Sequence, residues 1–166
     1  KAKKIFKLLN RYDYVIRTMN SIAITQYYAS DFLGSNKTSV EMIKLANKAN
    51  FYSLNSLALL DIADNLSALN NNEEAIRYYK RVLKEYKVKN STNKNFADKN
   101  YIYNSIADRY VSLKQYDSAS KYVYLNLNNK KLSFVNPTVY SIAISLSALI
   151  KLKTREREYN KLEKQF

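Results

Sequence analysis

The acids with the closest spacing, and so the first candidates for an acid–base pair, are Glu73-Glu74 and Glu156-x-Glu158. Adjacent positions on a helix point apart, and both pairs fall near expected helix starts, where the positive end of the backbone dipole favours carboxylates. The sequence has no His and no Cys. That removes imidazole catalysis, thiol nucleophiles, disulfides and nearly every zinc, copper or haem site. A single glycine, Gly34, cannot build a phosphate-cradling loop. The reading is of a non-enzyme with no catalytic residue, metal or cofactor. What remains is recognition chemistry, carried by 16 Tyr, many Asn, and carboxylates able to meet a donor-rich partner.

The elements that position such residues must be helices. One Gly and one Pro (Pro137) in 166 residues are too few for the tight turns of a sandwich or an α/β domain. At 46% hydrophobic residues the chain can build a core, and its length suits one domain over 1–166. No apolar run reaches the roughly 18 residues of a membrane span. The first residue is Lys1, and the segment reads as a piece of a longer protein. A net charge of +14 raises nucleic acid or an anionic surface as partner. Its Lys and Arg are spread along the chain, however, with no aromatic RNA-binding motif or Cys/His finger beside them, so nucleic acid is disfavoured.

An internal repeat organises the chain. Ser-Ile-Ala occurs at 21–23, 105–107 and 141–143, and Asp61-Ile62-Ala63 is a fourth copy. The Ala positions 23, 63, 107 and 143 lie 40, 44 and 36 residues apart. The third unit reads Tyr103-x-x-Ile106-Ala107-x-x-Tyr110, then Tyr116-x-x-Ala119-x-x-x-Val123; the second repeats it with Leu59, Ile62, Ala63, Leu66, Ala75 and Tyr79. This resembles the tetratricopeptide (TPR) consensus, whose period is about 34 residues. Ala at the crossing lets two helices approach closely while Tyr and Leu fill the groove around it. The resemblance implies an all-α, right-handed solenoid of antiparallel helix pairs, about four repeats long.

Periodicity and caps place helices near 2–10, 12–32, 39–50, 54–69, 73–88, 97–113, 117–128 and 137–152, with a last one from about 155 to the end. Leu69-Asn70-Asn71-Asn72 reads as a short turn with an Asn N-cap, followed by Glu73 and Glu74. Thr38-x-x-Glu41 has the form of a capping box, and Asn136-Pro137 that of an N-cap followed by Pro at the first helical position. A longer turn is expected around Gly34, and the longest loop at 90–95. Units one and four depart from the pattern: Ser35 and Arg155 stand where a small Ala is usual. Tyr79, Tyr103, Tyr110 and Tyr116 are expected to pack in the core.

In TPR arrays the first helices line a concave groove that carries ligand specificity. Transferred to this sequence, the resemblance implies a groove at Asn20, Tyr27, Leu60, Asp64, Ser67, Tyr101, Asn104, Asp108 and Tyr140, with Ile24, Tyr28, Val111, Ile144 and Ser147 nearby. Tyr, Asn and acid together suit an extended peptide or a helix with a cationic or donor-rich stretch. Asp64 and Asp108 sit where some TPR domains place a cationic clamp for a terminal carboxylate, which argues against that ligand.

The expected function is therefore a non-catalytic protein- or peptide-binding scaffold. With its relaxed repeat spacing the chain resembles the N-terminal sensory segments of bacterial signalling and transcriptional regulators, especially Bacteroidetes histidine kinases and helix-turn-helix regulators. That resemblance implies a periplasmic location. The alternatives are a cytoplasmic peptide-sensing domain of a DNA-binding regulator, and binding of an anionic surface or nucleic acid through the basic charge. Self-association as a homodimer through a terminal helix is a further expectation.

Overall fold

The computed structural model describes residues 11–49, 54–88, 98–128 and 136–163. Seven helices fill these residues, with no strand among them: α1 Tyr12–Tyr28, α2 Phe32–Lys48, α3 Asn55–Ala68, α4 Asn72–Val88, α5 Lys99–Ser112, α6 Tyr116–Leu127 and α7 Pro137–Glu163. The chain divides into two compact units, residues 1–97 and 98–166. In the first, α1 pairs with α2 and α3 with α4, and α3 also packs on α2. In the second, α5 pairs with α6, and α7 packs on both. Paired helices joined by tight reversals are the arrangement expected of a helical repeat. The expected helix over 2–10 and the loop at 90–95 lie outside the described residues.

Each helix buries one stripe at helical spacing. In α1 it is Val15, Ile16, Met19 and Ala23; in α2, Ser35, Ser39, Met42 and Ala46. In α4 it is Ala75, Ile76, Tyr79 and Val82, and in α7, Val139, Ala143, Leu146 and Ile150. Val15, Ile16, Met19, Met42, Ala46, Leu54 and Ala58 form one core cluster of unit one. In unit two, Ala107, Ala119, Val123, Leu146 and Ile150 form a cluster edged by Tyr110, Tyr116 and Tyr122. Tyr110 stacks on Tyr122 with ring centroids 5.9 Å apart, and Tyr103 approaches the same ring. All four triplet alanines are fully buried, as are Ser35, Ala75 and Ala119, each twelve residues after its triplet Ala.

The three reversals share one backbone solution. Ser30, Asn70 and Lys114, each seven residues after its triplet Ala, have φ of 61°, 58° and 58°. After α1, Ser30 N–H donates to the Tyr27 carbonyl at 2.9 Å and Asp31 N–H to the Gln26 carbonyl at 2.8 Å. The same pair of bonds recurs at Asn70 and Asn71, and at Lys114 and Gln115. This is the Schellman ending, which usually places Gly at the left-handed position. Here three L-residues hold it.

That geometry corrects unit one. The reversal is at 29–31, not around Gly34, and α2 begins at Phe32 and not near 39. Asp31 is its N-cap, accepting from Gly34 N–H at 2.9 Å. Thr38 and Glu41 lie inside α2, and Thr38 Oγ1 donates to Gln26 Oε1 at 2.8 Å. Ser35 fills the small-residue place, and its hydroxyl donates to the Ala23 carbonyl at 2.9 Å.

Unit four is corrected as well. No turn separates 137–152 from 155–166, because α7 runs unbroken to Glu163. The position seven residues after Ala143 is Ile150, a β-branched residue that resists the left-handed conformation, and Lys, Arg and Glu after it are strong helix formers. Lys153 also pairs with Glu156 one turn on, at 2.7 Å. At its other end, α7 starts as its sequence dictates: Val139 N–H donates to Asn136 Oδ1 at 3.2 Å, ahead of Pro137 at the first position.

Two stability outcomes follow from this packing. Lys114→Gly relieves the left-handed strain and raises unfolding stability by about 0.5–1 kcal/mol, after the flexibility Gly gains in the unfolded chain is subtracted. Ala63→Leu overfills a helix crossing and lowers stability by about 1–3 kcal/mol. Urea titration of the purified chain measures both.

Candidate functional site

In unit one, Asn20, Tyr27, Leu60, Asp64 and Ser67 are all half-buried on the two first helices, α1 and α3, which also touch each other. Tyr27 holds its ring edge-on to Tyr28 and to Phe32, with centroids 5.5 and 5.6 Å away. Tyr28 is 81% exposed and Ile24 41%, so the outer end of α1 offers aromatic and aliphatic area to solvent. Asp64 is engaged: the buried Tyr79 of α4 donates its hydroxyl to Asp64 Oδ1 at 2.6 Å.

Unit two places its candidates differently. Tyr101 is 40% exposed, Tyr140 is half-buried, and Asp108 is ion-paired with Arg109. Asn104 is buried and faces inward, not outward to a ligand. Its Nδ2 donates to the Val139 carbonyl at 2.8 Å, while its Oδ1 accepts from Asn126 Nδ2. Asn126 also donates to the Asn100 carbonyl at 2.9 Å. These two amides tie α5, α6 and α7 together, so Asn104 serves the fold of the unit. A cavity of about 260 Å³ lies on the α6–α7 seam, lined by Val123, Tyr124 and Leu127 of α6 and by Ser147, Ile150 and Lys151 of α7.

A matching polar ladder crosses unit one. Asn65 of α3 donates through Nδ2 to Ser35 Oγ at 2.9 Å and to Asn36 Oδ1 at 2.8 Å, bridging α3 to α2. Sequence reasoning singled out neither Asn65 nor Asn126. The signal was an amide at a helical spacing shared with apolar residues, as Asn65 after Ala58, Leu59 and Ile62. On the same seam Asp61 is mostly buried. Burial pushes its carboxyl up to about 7, the nearby Asp64 charge adds to the rise, and the Ser39 hydroxyl opposes it.

Charge is segregated between the helices of unit one. α1 and α3 together carry Asp13, Asp61 and Asp64 against Arg17 alone. α2 and α4 carry eight Lys and Arg against Glu41, Glu73, Glu74 and Glu85. In a strongly basic chain the first helices of unit one thus carry Arg17 as their one cation; of their three carboxyls Asp61 is turned into the α2–α3 seam, and exposed Ile24 and Tyr28 lie at the outer end of α1. Among the described residues no helix is long and apolar enough to cross a membrane. Neither a family model nor a curated protein matches this sequence.

The amide ladder of unit two gives a direct test. Asn126→Ala strands the buried Asn104 Oδ1, removes the side-chain bond to the Asn100 carbonyl, and costs about 1–3 kcal/mol. Thermal unfolding measures the loss, and hydrogen exchange should place it first where α6 packs on α5.

Proposed function

We propose that the chain is a non-catalytic scaffold that binds a protein or peptide on its first helices, as the sensory part of a bacterial signalling or transcriptional regulator. The observation that carries the binding half is the charge segregation in unit one. Within a chain of net charge +14, α1 and α3 hold a single cation, Arg17, beside Asp13, Asp64, amides and tyrosines, while the Lys and Arg of unit one's other helices lie on α2 and α4. Such a face suits a ligand with Lys, Arg or backbone donors next to apolar side chains. Exposed Ile24 and Tyr28 supply anchor area of the kind that dominates binding energy. The regulatory half rests on the resemblance of the repeat to TPR sensor segments.

A second reading draws on the same segregation. Arg77, Lys80, Arg81 and Lys84 crowd α4, and Arg81 lies over the Tyr78 ring at 5.0 Å. That helix suits an anionic surface or nucleic acid, with an affinity that falls steeply with salt.

A pull-down series separates the two. Ile24→Lys with Tyr28→Lys alters the first-helix face, whereas Leu33→Lys on α2, at a residue 83% exposed, is the control. Partners captured by the wild-type chain should be lost with the double variant and kept with the control. Retention by both variants, together with capture abolished at high salt, rejects the first-helix face in favour of the basic helices.

A further inference from the structure

The α2–α3 seam joins the two helix pairs of unit one, and an acid is built into it. Asp61 Oδ2 is buried and accepts no hydrogen bond of ordinary geometry. Ser39 of α2 is fully buried, and its hydroxyl, equally short of a partner, faces the same carboxyl. One turn along α3, Asn65 already spends its amide hydrogens on Ser35 and Asn36, so it cannot turn to solvate Asp61 without releasing them. The seam therefore holds a carboxyl oxygen without a hydrogen bond of ordinary geometry beside a buried hydroxyl in the same condition.

We propose that this seam is a proton-operated joint: protonated Asp61 lets α2 and α3 close, and ionised Asp61 loosens them. A neutral carboxyl can donate to Ser39 Oγ and brings no charge into the interface. An ionised one puts a buried negative charge beside the Asp64 carboxylate. Few groups bear on it. Asp64 comes from its own helix and Ser39 from α2, and from α4 the Tyr79 hydroxyl bonds Asp64. Among the described residues no Lys or Arg of α1, α2 or α4 offsets the charge.

The direction is fixed by the raised folded-state value. With the seam open, Asp61 returns towards the ordinary 3.8; closed, it sits at about 7. The contribution of the protonated form is complete below the lower value, is lost as pH rises between the two, and stays lost above the upper one. Leu60, Asp64 and Ser67 ride on the same helix, so the joint also sets the placement of the α3 part of the first-helix face.

Hydrogen exchange of the full chain, corrected for intrinsic rates, tests this at pH 5, 6 and 7, with α5 and α6 as the internal reference. Seam opening in α2 and α3 should increase relative to the reference by up to about tenfold per pH unit, and Asp61→Asn should abolish the trend. Seam protection that parallels α5 and α6 at each pH, or a trend that survives in Asp61→Asn, overturns the proposal. If that variant does not fold, carboxyl-carbon NMR of the wild-type chain decides. A midpoint near 7 for Asp61 supports the joint, and one near 4 rejects it.

Discussion

Each of the three helix hairpins among the described residues brings two backbones together at residues with no side chain beyond Cβ, or with one hydroxyl. Ala23 faces Ser35, Ala63 and Ala75 share the second pair, and Ala107 and Ala119 the third, all without solvent exposure. At such a crossing the surrounding Leu, Ile and Tyr make dispersion contacts on all sides, and a larger residue separates the helices. The reversal must then be short enough to bring the second alanine-like residue back within twelve positions. The Schellman turns at Ser30, Asn70 and Lys114 meet that requirement. Crossing and turn constrain one another, which is why the distance between them is constant while the overall repeat length varies.

The repeat was legible because it is written in side-chain size. Four Ile-Ala steps marked the first helices, and α3 to α6 fall within two residues of the ranges expected from periodicity. What misled was reading punctuation by residue type. Gly34 suggested a turn, yet it is the third residue of α2, under the Asp31 cap, and the left-handed position belongs to Ser30. Thr38 and Glu41 have the spacing of a cap, but helix interiors also place residues three apart on one face. The fourth unit has the alanine and lacks the turn, so the triplet alone does not guarantee a hairpin.

The candidate face was legible only in part. Helical register put Tyr27, Leu60, Asp64 and Tyr101 on the first helices, and exposure then sorted them. Asn104 was misassigned because an amide suits a ligand and a core network equally well. Its choice here is decided by Asn126 from another helix, a contact between residues 22 apart in sequence. Asp61 was read only as the first residue of its triplet for a similar reason. A carboxylate at the head of a triplet reads as surface until its neighbour across the seam is known to be a buried serine. Buried polar groups of this kind constrain which helices pair and in what register, even where they add little to net stability.

The unbroken length of α7 has a mechanical consequence. Residues 137–150 are uncharged and bury Val139, Ala143, Leu146 and Ile150, while 151–163 carry Lys, Arg and Glu beyond the packed stripe. At 1.5 Å per residue that second stretch is a rod of roughly 20 Å. The other helix pairs are separated by three-residue hinges; α7 has none between its core half and its charged half. A twist or pull applied near Glu163 is therefore delivered, without slack, to Ile150 and Leu146 in the centre of unit two.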